Sequence, residues 1–345
     1  MSEASVVELG WVRATGTPYE IGAALGRAGR VAVHQRLRPL DYWQAVTDEL
    51  HLPIVTRLAA RTQALFPEIH AELQGLADGL ELPFLHVMAW NCRGDLMSNV
   101  PDGCTTVQLP GPTAVLAHNE DGLRELHGSC FIAEVTDTNG DGFLACCYPG
   151  SLPGHTFAVT RSGIAQAVNN LRLRNVRPEI PRMVLGRAAL ACKTITEALD
   201  LLAHENDCGG FHFTLAQAGN TGLHSVEFGG GAFSHKIIET ASGHANHALH
   251  MNLPQTQMIT DSSRDRQMRV RELLEMGVSD ALRILRILRD TGGAGLPIHR
   301  TSSDDPDKEN TLASAIISVN NTGVSWKFYD QSSPEPIYTG EFIAS

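Results

Sequence analysis

The sequence predicts an α+β fold in which two antiparallel sheets pack face to face between outer layers of helix. Three observations predict it. The first hundred residues carry mostly helical periodicity, the pattern turns to paired strands at Cys104, and later helices come in blocks. A doubly wound parallel sheet would need regular β-α-β-α alternation instead. The chain has 345 residues and 43% hydrophobic content, enough for one large core. No low-complexity linker divides it, so one compact body is expected.

Taken in order, Tyr19–Leu37 spaces Ile21, Ala24, Leu25, Ala28 and Val31 as one helical face. Arg57–Leu80 repeats the pattern, with Pro67 expected to kink or split it. Phe84–Asn91 is a short buried helix, and Ser98–Gly103 reads as a loop. Cys104–Leu109 and Ala114–His118 then flank Pro110-Gly111-Pro112 as a hairpin. Phe131–Val135 with Phe143–Cys147, and Thr156–Thr160 with Gly163–Val168, form two more pairs. Helices follow at Pro181–Cys192 and after Thr194-Ile195-Thr196-Glu197, a capping-box sequence. Phe211–Ala216, Gly222–Phe228 and Ala232–Ile238 return to strand. Arg264–Met276 and Asp280–Arg289 are helical, and Leu312–Val319 and Val324–Tyr329 close the chain as strands.

A formal net charge of −11 argues against nucleic-acid and membrane-surface partners. The seven cysteines show no disulfide framework and no C-x-x-C pair. Met1–Gly10 has no basic segment leading into an apolar one, and no apolar run approaches the roughly 18 residues of a membrane span. A cytoplasmic protein is the expectation.

Several motifs fail on inspection. Asp137-Thr138-Asn139-Gly140-Asp141-Gly142 starts like a calcium loop, but its twelfth position is Tyr148 rather than a bidentate glutamate, so a hairpin turn explains it better. His244, His247 and His250 have no helix and no partner at zinc spacing. Gly22, Gly26 and Gly29 do not follow a strand and do not make a dinucleotide fingerprint. No cofactor and no metal is expected.

One constellation survives. Asp102-Gly103-Cys104-Thr105-Thr106 puts a cysteine at the start of a strand behind a glycine, and the next strand ends in Asn119-Glu120-Asp121. A thiol there suits self-cleavage by attack on the preceding carbonyl, with Gly103 tolerating a tight loop. The cut would leave Cys104 with a free α-amine of reference pKa about 7.7–8, able to serve as base to its own thiol. The other six cysteines read as small buried apolar residues.

This constellation resembles the peptidase C45, or isopenicillin N acyltransferase-like, family of N-terminal nucleophile hydrolases. Gly16-Thr17-Pro18-Tyr19-Glu20-Ile21-Gly22 is similar to its opening motif, Gly103-Cys104-Thr105-Thr106 to its cleavage site, and Asn119-Glu120-Asp121 to its Asn-x-Asp. Ala245-Asn246-His247, Asp261-Ser262-Ser263-Arg264 and Thr311-Leu312-Ala313-Ser314 resemble later family segments. The resemblance implies an αββα four-layer sandwich, with a helical segment 1–103 staying associated with a catalytic segment 104–345 after the cut. It makes Cys104 the nucleophile, Asn246 the oxyanion-hole side chain, and Asp121 and Asn119 the positioning pair. Thr105, Glu120 and His247 would line the substrate site, and Arg300, with Arg264 second, would supply the late arginine. Glu120, charged where the penicillin-pathway enzymes have an aromatic residue, suits an amine-bearing substrate. The expected reaction is hydrolysis of a small N-acyl amine or amino-acid amide. Acyl transfer through the same thioester, an uncut ligand-binding relative, and a homo-oligomer stay open as alternatives.

Overall fold

The computed structural model describes residues 9–99, 101–220, 222–253, 257–277, 281–331 and 333–343. Expectations resting on residues 1–8, on Val100 in the loop and on Asp280 at a helix start lie outside the described residues.

The strands are β1 (Gly10–Gly16), β2 (Asp102–Leu109), β3 (Ala114–Leu123), β4 (Phe131–Asp137), β5 (Gly142–Cys147), β6 (Phe157–Thr160), β7 (Ile164–Leu171), β8 (Gly210–Gln217), β9 (His224–Gly229), β10 (Ala232–Ile237), β11 (Ser242–His244), β12 (Glu309–Asn320), β13 (Gly323–Tyr329) and β14 (Tyr338–Ile343). The helices are α1 (Pro18–Ala32), α2 (Asp41–Val46), α3 (Leu52–Leu65), α4 (Pro67–Leu80), α5 (Phe84–Asn91), α6 (Arg93–Leu96), α7 (Arg182–Ala189), α8 (Ile195–His204), α9 (Asp261–Glu275) and α10 (Ala281–Leu288).

Among the described residues the strands make two sheets. One runs β1-β4-β5-β6-β7-β8-β9-β10, the other β11-β2-β3-β12-β13-β14. β2 and β3 lie against β7 and β8, so the sheets stack face to face. Helices α1 and α8 cover the outside of the larger sheet, and α9 and α10 that of the smaller. The result is the α+β four-layer sandwich expected from the sequence. No described helix is long and apolar enough to cross a membrane.

Local chemistry explains most elements. Thr17 caps α1 with its hydroxyl and Glu20 reaches back to the Thr17 N–H, a full capping box with Pro18 at the first helical position. The Thr194 hydroxyl caps α8, but Glu197 accepts from the Lys193 N–H, so the box expected there is only half formed. Pro67 splits the long helical pattern into α3 and α4 at Phe66. Gly22 sits where α1 meets α4: a Cβ there would lie 1.9 Å from the Glu72 carbonyl oxygen. The Asp137–Asp141 turn is held by Asp137 Oδ1, which accepts from the Asn139 and Asp141 N–H groups.

Two edge strands were not legible. β1 buries only Ala14, so its alternation is faint, yet it pairs in parallel with β4 and ties the N-terminal segment into the larger sheet. β14 lies on the opposite edge of the smaller sheet with no fully buried position. The expected loop at Ser98–Gly103 is also shorter than read. β2 begins at Asp102, and Gly103 is paired in register with Asp121. Gly103 is therefore an extended strand residue, and the tight loop predicted at the Gly103–Cys104 bond is not found.

Candidate active site

The β2–β3 hairpin builds the site by its register. Cys104 stands opposite Glu120, Thr105 opposite Asn119, and Thr106 opposite His118. Because side chains alternate across a strand, Cys104, Thr106, His118 and Glu120 share the face turned toward the larger sheet. Gly103, Thr105, Asn119 and Asp121 occupy the other face, toward α9 and α10.

On the inner face Cys104 Sγ lies 3.6 Å from Glu120 Oε2, and His118 Nε2 lies 3.0 Å from the same oxygen. The Tyr148 hydroxyl donates to Glu120 Oε1. The hydrogen-bond network fixes the histidine tautomer. Asn169 Nδ2 donates to the His244 carbonyl, so Asn169 Oδ1 is the acceptor for the Thr106 hydroxyl at 2.7 Å. Thr106 has then used its proton, and His118 Nδ1 must donate to it across 2.8 Å. The Nε2 lone pair is left facing Glu120.

Burial sets the protonation of all three groups. It pushes the Cys104 thiol far up, with Glu120 adding to the effect, and pushes the Glu120 carboxyl well above the usual range. It drives His118 down to about 3. Burial thus favours the thiol, the carboxylic acid and the neutral imidazole over their charged forms. Glu120 is 1% exposed, and both its carboxyl oxygens have partners within the protein.

The main chain of Cys104 is held from elsewhere. Its N–H donates to Asn246 Oδ1 at 2.9 Å, and Arg266 donates to its carbonyl oxygen, to Thr105 Oγ1 at 2.9 Å and to Asn246 Oδ1 at 2.6 Å. Asn246 Nδ2 donates to the Asn170 carbonyl, so in this arrangement the side chain offers Cys104 an acceptor rather than an oxyanion donor. Ser263, at the Thr260-capped start of α9, accepts from the Asn246 N–H and bonds His247 Nδ1 at 2.8 Å.

Gly103 is seated against a charged lattice. A Cβ there would lie 2.2 Å from Glu309 Oε2. Glu309 is gripped by Arg300 and, at 2.9 Å, by Arg172. Asp121 Oδ1 accepts from Thr311 at 2.6 Å, and its charge acts on both Arg266 and Arg300. Asp102 pairs with Arg93 at 3.2 Å.

Three residues named from the sequence sit apart from the thiol. Asn119 donates to the Leu288 carbonyl at 2.6 Å and accepts from Ser314, tying β3 to α10 and β12. Arg264 is exposed, pairing with Asp261. Arg300 is buried among Asp305, Asp307 and Glu309, beside Gly103 rather than beside the thiol. The arginine that reaches Cys104 is Arg266, which sequence reasoning missed. Helical phase could have found it: Ser262, Ser263, Arg266, Gln267 and Val270 form the buried face of α9, whereas Arg264 falls outside it. Tyr148 and His118 were missed as well: Tyr148 reaches Glu120 from just beyond β5, and His118 lies two residues before Glu120 on the same face of β3. A cavity of about 530 Å³ lined by Ile21, Phe66, Phe143 and Leu190 shares no residue with the Cys104 cluster.

An αββα sandwich with a buried cysteine at the start of an inner strand defines a class, and comparison with known proteins gives the family. The profile of acyl-coenzyme A:6-aminopenicillanic acid acyl-transferase matches residues 109–332, well over half of the chain, and the chain belongs to that family. It is 26% identical over 213 residues to the beta-alanyl-dopamine/carcinine hydrolase of Drosophila melanogaster. That match covers 54% of this chain and 55% of the relative, so the chain spans about half the length of the curated protein it resembles.

Proposed function

We propose that this chain is an amide hydrolase that frees its own nucleophile by cutting the Gly103–Cys104 bond, and then opens small N-acyl amines through a thioester on Cys104. The observation that carries the reading is the grip on Cys104. Asn246 and Arg266 hold its N–H and carbonyl from the far end of the chain, while its thiol faces the Glu120–His118 pair.

In the first step Sγ attacks the Gly103 carbonyl carbon. The S–C bond forms, the C–N bond breaks, and the thiol proton ends on the departing amine. Water then hydrolyses the thioester to a Gly103 carboxylate and regenerates the thiol. The proton's initial route is short: Glu120 Oε2 accepts it from Sγ, 3.6 Å away, while the carboxyl's own proton goes to the departing amine. An extended Gly103 stores no strain, so positioning rather than distortion lowers this barrier. After the cut the α-amine stays beside Asn246 Oδ1, and with a reference pKa of about 7.7–8 it replaces Glu120 as base for the second reaction. Residues 1–103 and 104–345 remain together, a reading supported by the pairing of β1 with β4.

The substrate class rests on the Drosophila relative, whose name specifies β-alanyl amines. The family's acyltransferase description favours a second reading, in which an amine intercepts the same thioester. Both are tested by incubating the protein with β-alanyl amides, quenching, and weighing the peptide that contains Cys104. The expected result is an acyl adduct on that peptide, absent in Cys104→Ala, whose product divides between water and an added amine. Turnover that persists in Cys104→Ala with no adduct would sink the proposal.

A further inference from the structure

Cys104, His118 and Glu120 are not near one another in spacing that suggests a metal site, yet the hairpin register makes their ligand atoms converge. Cys104 Sγ, His118 Nε2 and a Glu120 carboxylate oxygen all lie within 4.8 Å of one another, and all three residues are buried. Two of the separations are 3.6 Å and 3.0 Å. Tetrahedral zinc with one sulfur, one nitrogen and one oxygen ligand holds those atoms about 3.4–3.6 Å apart. Small side-chain adjustments therefore close the site.

A second shell is already built. Thr106 accepts from His118 Nδ1 and is itself anchored on Asn169, which orients the ring with Nε2 inward. Tyr148 donates to the remaining Glu120 oxygen. Such outer partners are what fix the tautomer and direction of a metal-bound histidine and carboxylate. The charge also balances: a thiolate and a carboxylate, each having given up its proton, neutralise one divalent ion, while Arg266, which also acts on the Cys104 thiol, is compensated by Asp121 and Glu309. A sulfur–imidazole–carboxylate set selects zinc over magnesium or calcium.

We propose that Cys104, His118 and Glu120 form a zinc site, and that Zn²⁺ bound there ties up the thiol and silences the protein reversibly. Binding stands on the geometry alone; the silencing rests on the reading of Cys104 as nucleophile. Magnesium and calcium, which avoid thiolate, leave the site untouched.

The test uses the purified full chain stripped with chelator and titrated with Co²⁺, a spectroscopic stand-in for zinc. The expected result is one cobalt per chain with a thiolate-to-cobalt absorption band, displaced by Zn²⁺. His118→Ala and Cys104→Ala abolish the band, and Thr106→Val, which removes only the outer partner, weakens binding about 10–100-fold. Zn²⁺ also protects Cys104 from alkylation while half-buried Cys192 reacts as before. A missing band in the wild-type chain, or one that survives in His118→Ala, overturns the proposal. If His118→Ala fails to fold, Thr106→Val and the wild-type alkylation pattern still decide. Intact mass and amide turnover of the metal-free protein are read on the same sample. An uncut, idle chain that nonetheless shows the cobalt band would defeat the proposed function and leave the zinc site standing.

Discussion

The two faces of the β2–β3 hairpin carry opposite electrostatics. Inward, burial between the sheets penalises every charged form of Cys104, His118 and Glu120 and favours their neutral ones. Outward, Gly103 and Asp121 meet Arg266 and Arg300, whose charges oppose each other but are favoured by Asp121 and Glu309, although burial still raises the Glu309 carboxyl to about 7. One strand period separates them. In the proposed reaction the difference divides the labour: the inner face handles the proton, and the outer face holds the peptide still.

Removing a proton carrier and removing a holder should therefore fail differently. Glu120→Gln keeps the shape but ends the relay, so self-cleavage slows by about 10²–10⁴-fold with little change in thermal stability; mass spectrometry over time after refolding checks it. Arg266→Ala frees the Cys104 carbonyl and Asn246 together, and misplacement of the reacting bond slows the cut by about 10²-fold. Gly103→Ala forces a methyl into Glu309, costing about 1–3 kcal/mol in denaturant unfolding.

A smaller effect tests the loop that carries Asn246. Glu227 accepts from the Leu249, His250 and Met251 N–H groups and from His244. Burial pushes its carboxyl up, but these donors outweigh it and bring the group down to about 2. Its folded pKa lies below the unfolded value. The stability it contributes is present above about pH 4.5 and is lost as pH falls toward 2. Glu227→Gln should flatten that acid limb and cost about 1–3 kcal/mol at neutral pH. Arg264→Ala, on the solvent side of the helix that carries Arg266, should stay within about 0.5 kcal/mol of wild type and cut at the normal rate.

The fold was largely legible because its strong signals are local. Helical periods, the Pro67 break and the Pro110-Gly111-Pro112 turn each act within a few residues, and the sandwich follows from their order. β1 and β14 escaped because edge strands bury too little to alternate visibly. The candidate site was legible where a motif is contiguous, as at Gly103-Cys104-Thr105-Thr106. It failed where partners meet through tertiary geometry: His118 joins the site by the register of β2 and β3, Tyr148 from beyond β5, and Arg266 by the phase of α9. The loop expected at Gly103 was a strand because Asp102 and Gly103 already pair with β3.

In the proposed function the inner-face thiol cuts its own chain. The intact mass of the freshly purified wild-type protein, beside Cys104→Ala, tests it most directly. Wild-type fragments of about 11 and 26 kDa are expected, with a single 37.3 kDa species for the variant. A wild-type chain that stays at 37.3 kDa while hydrolysing amides as well as Cys104→Ala does would contradict it.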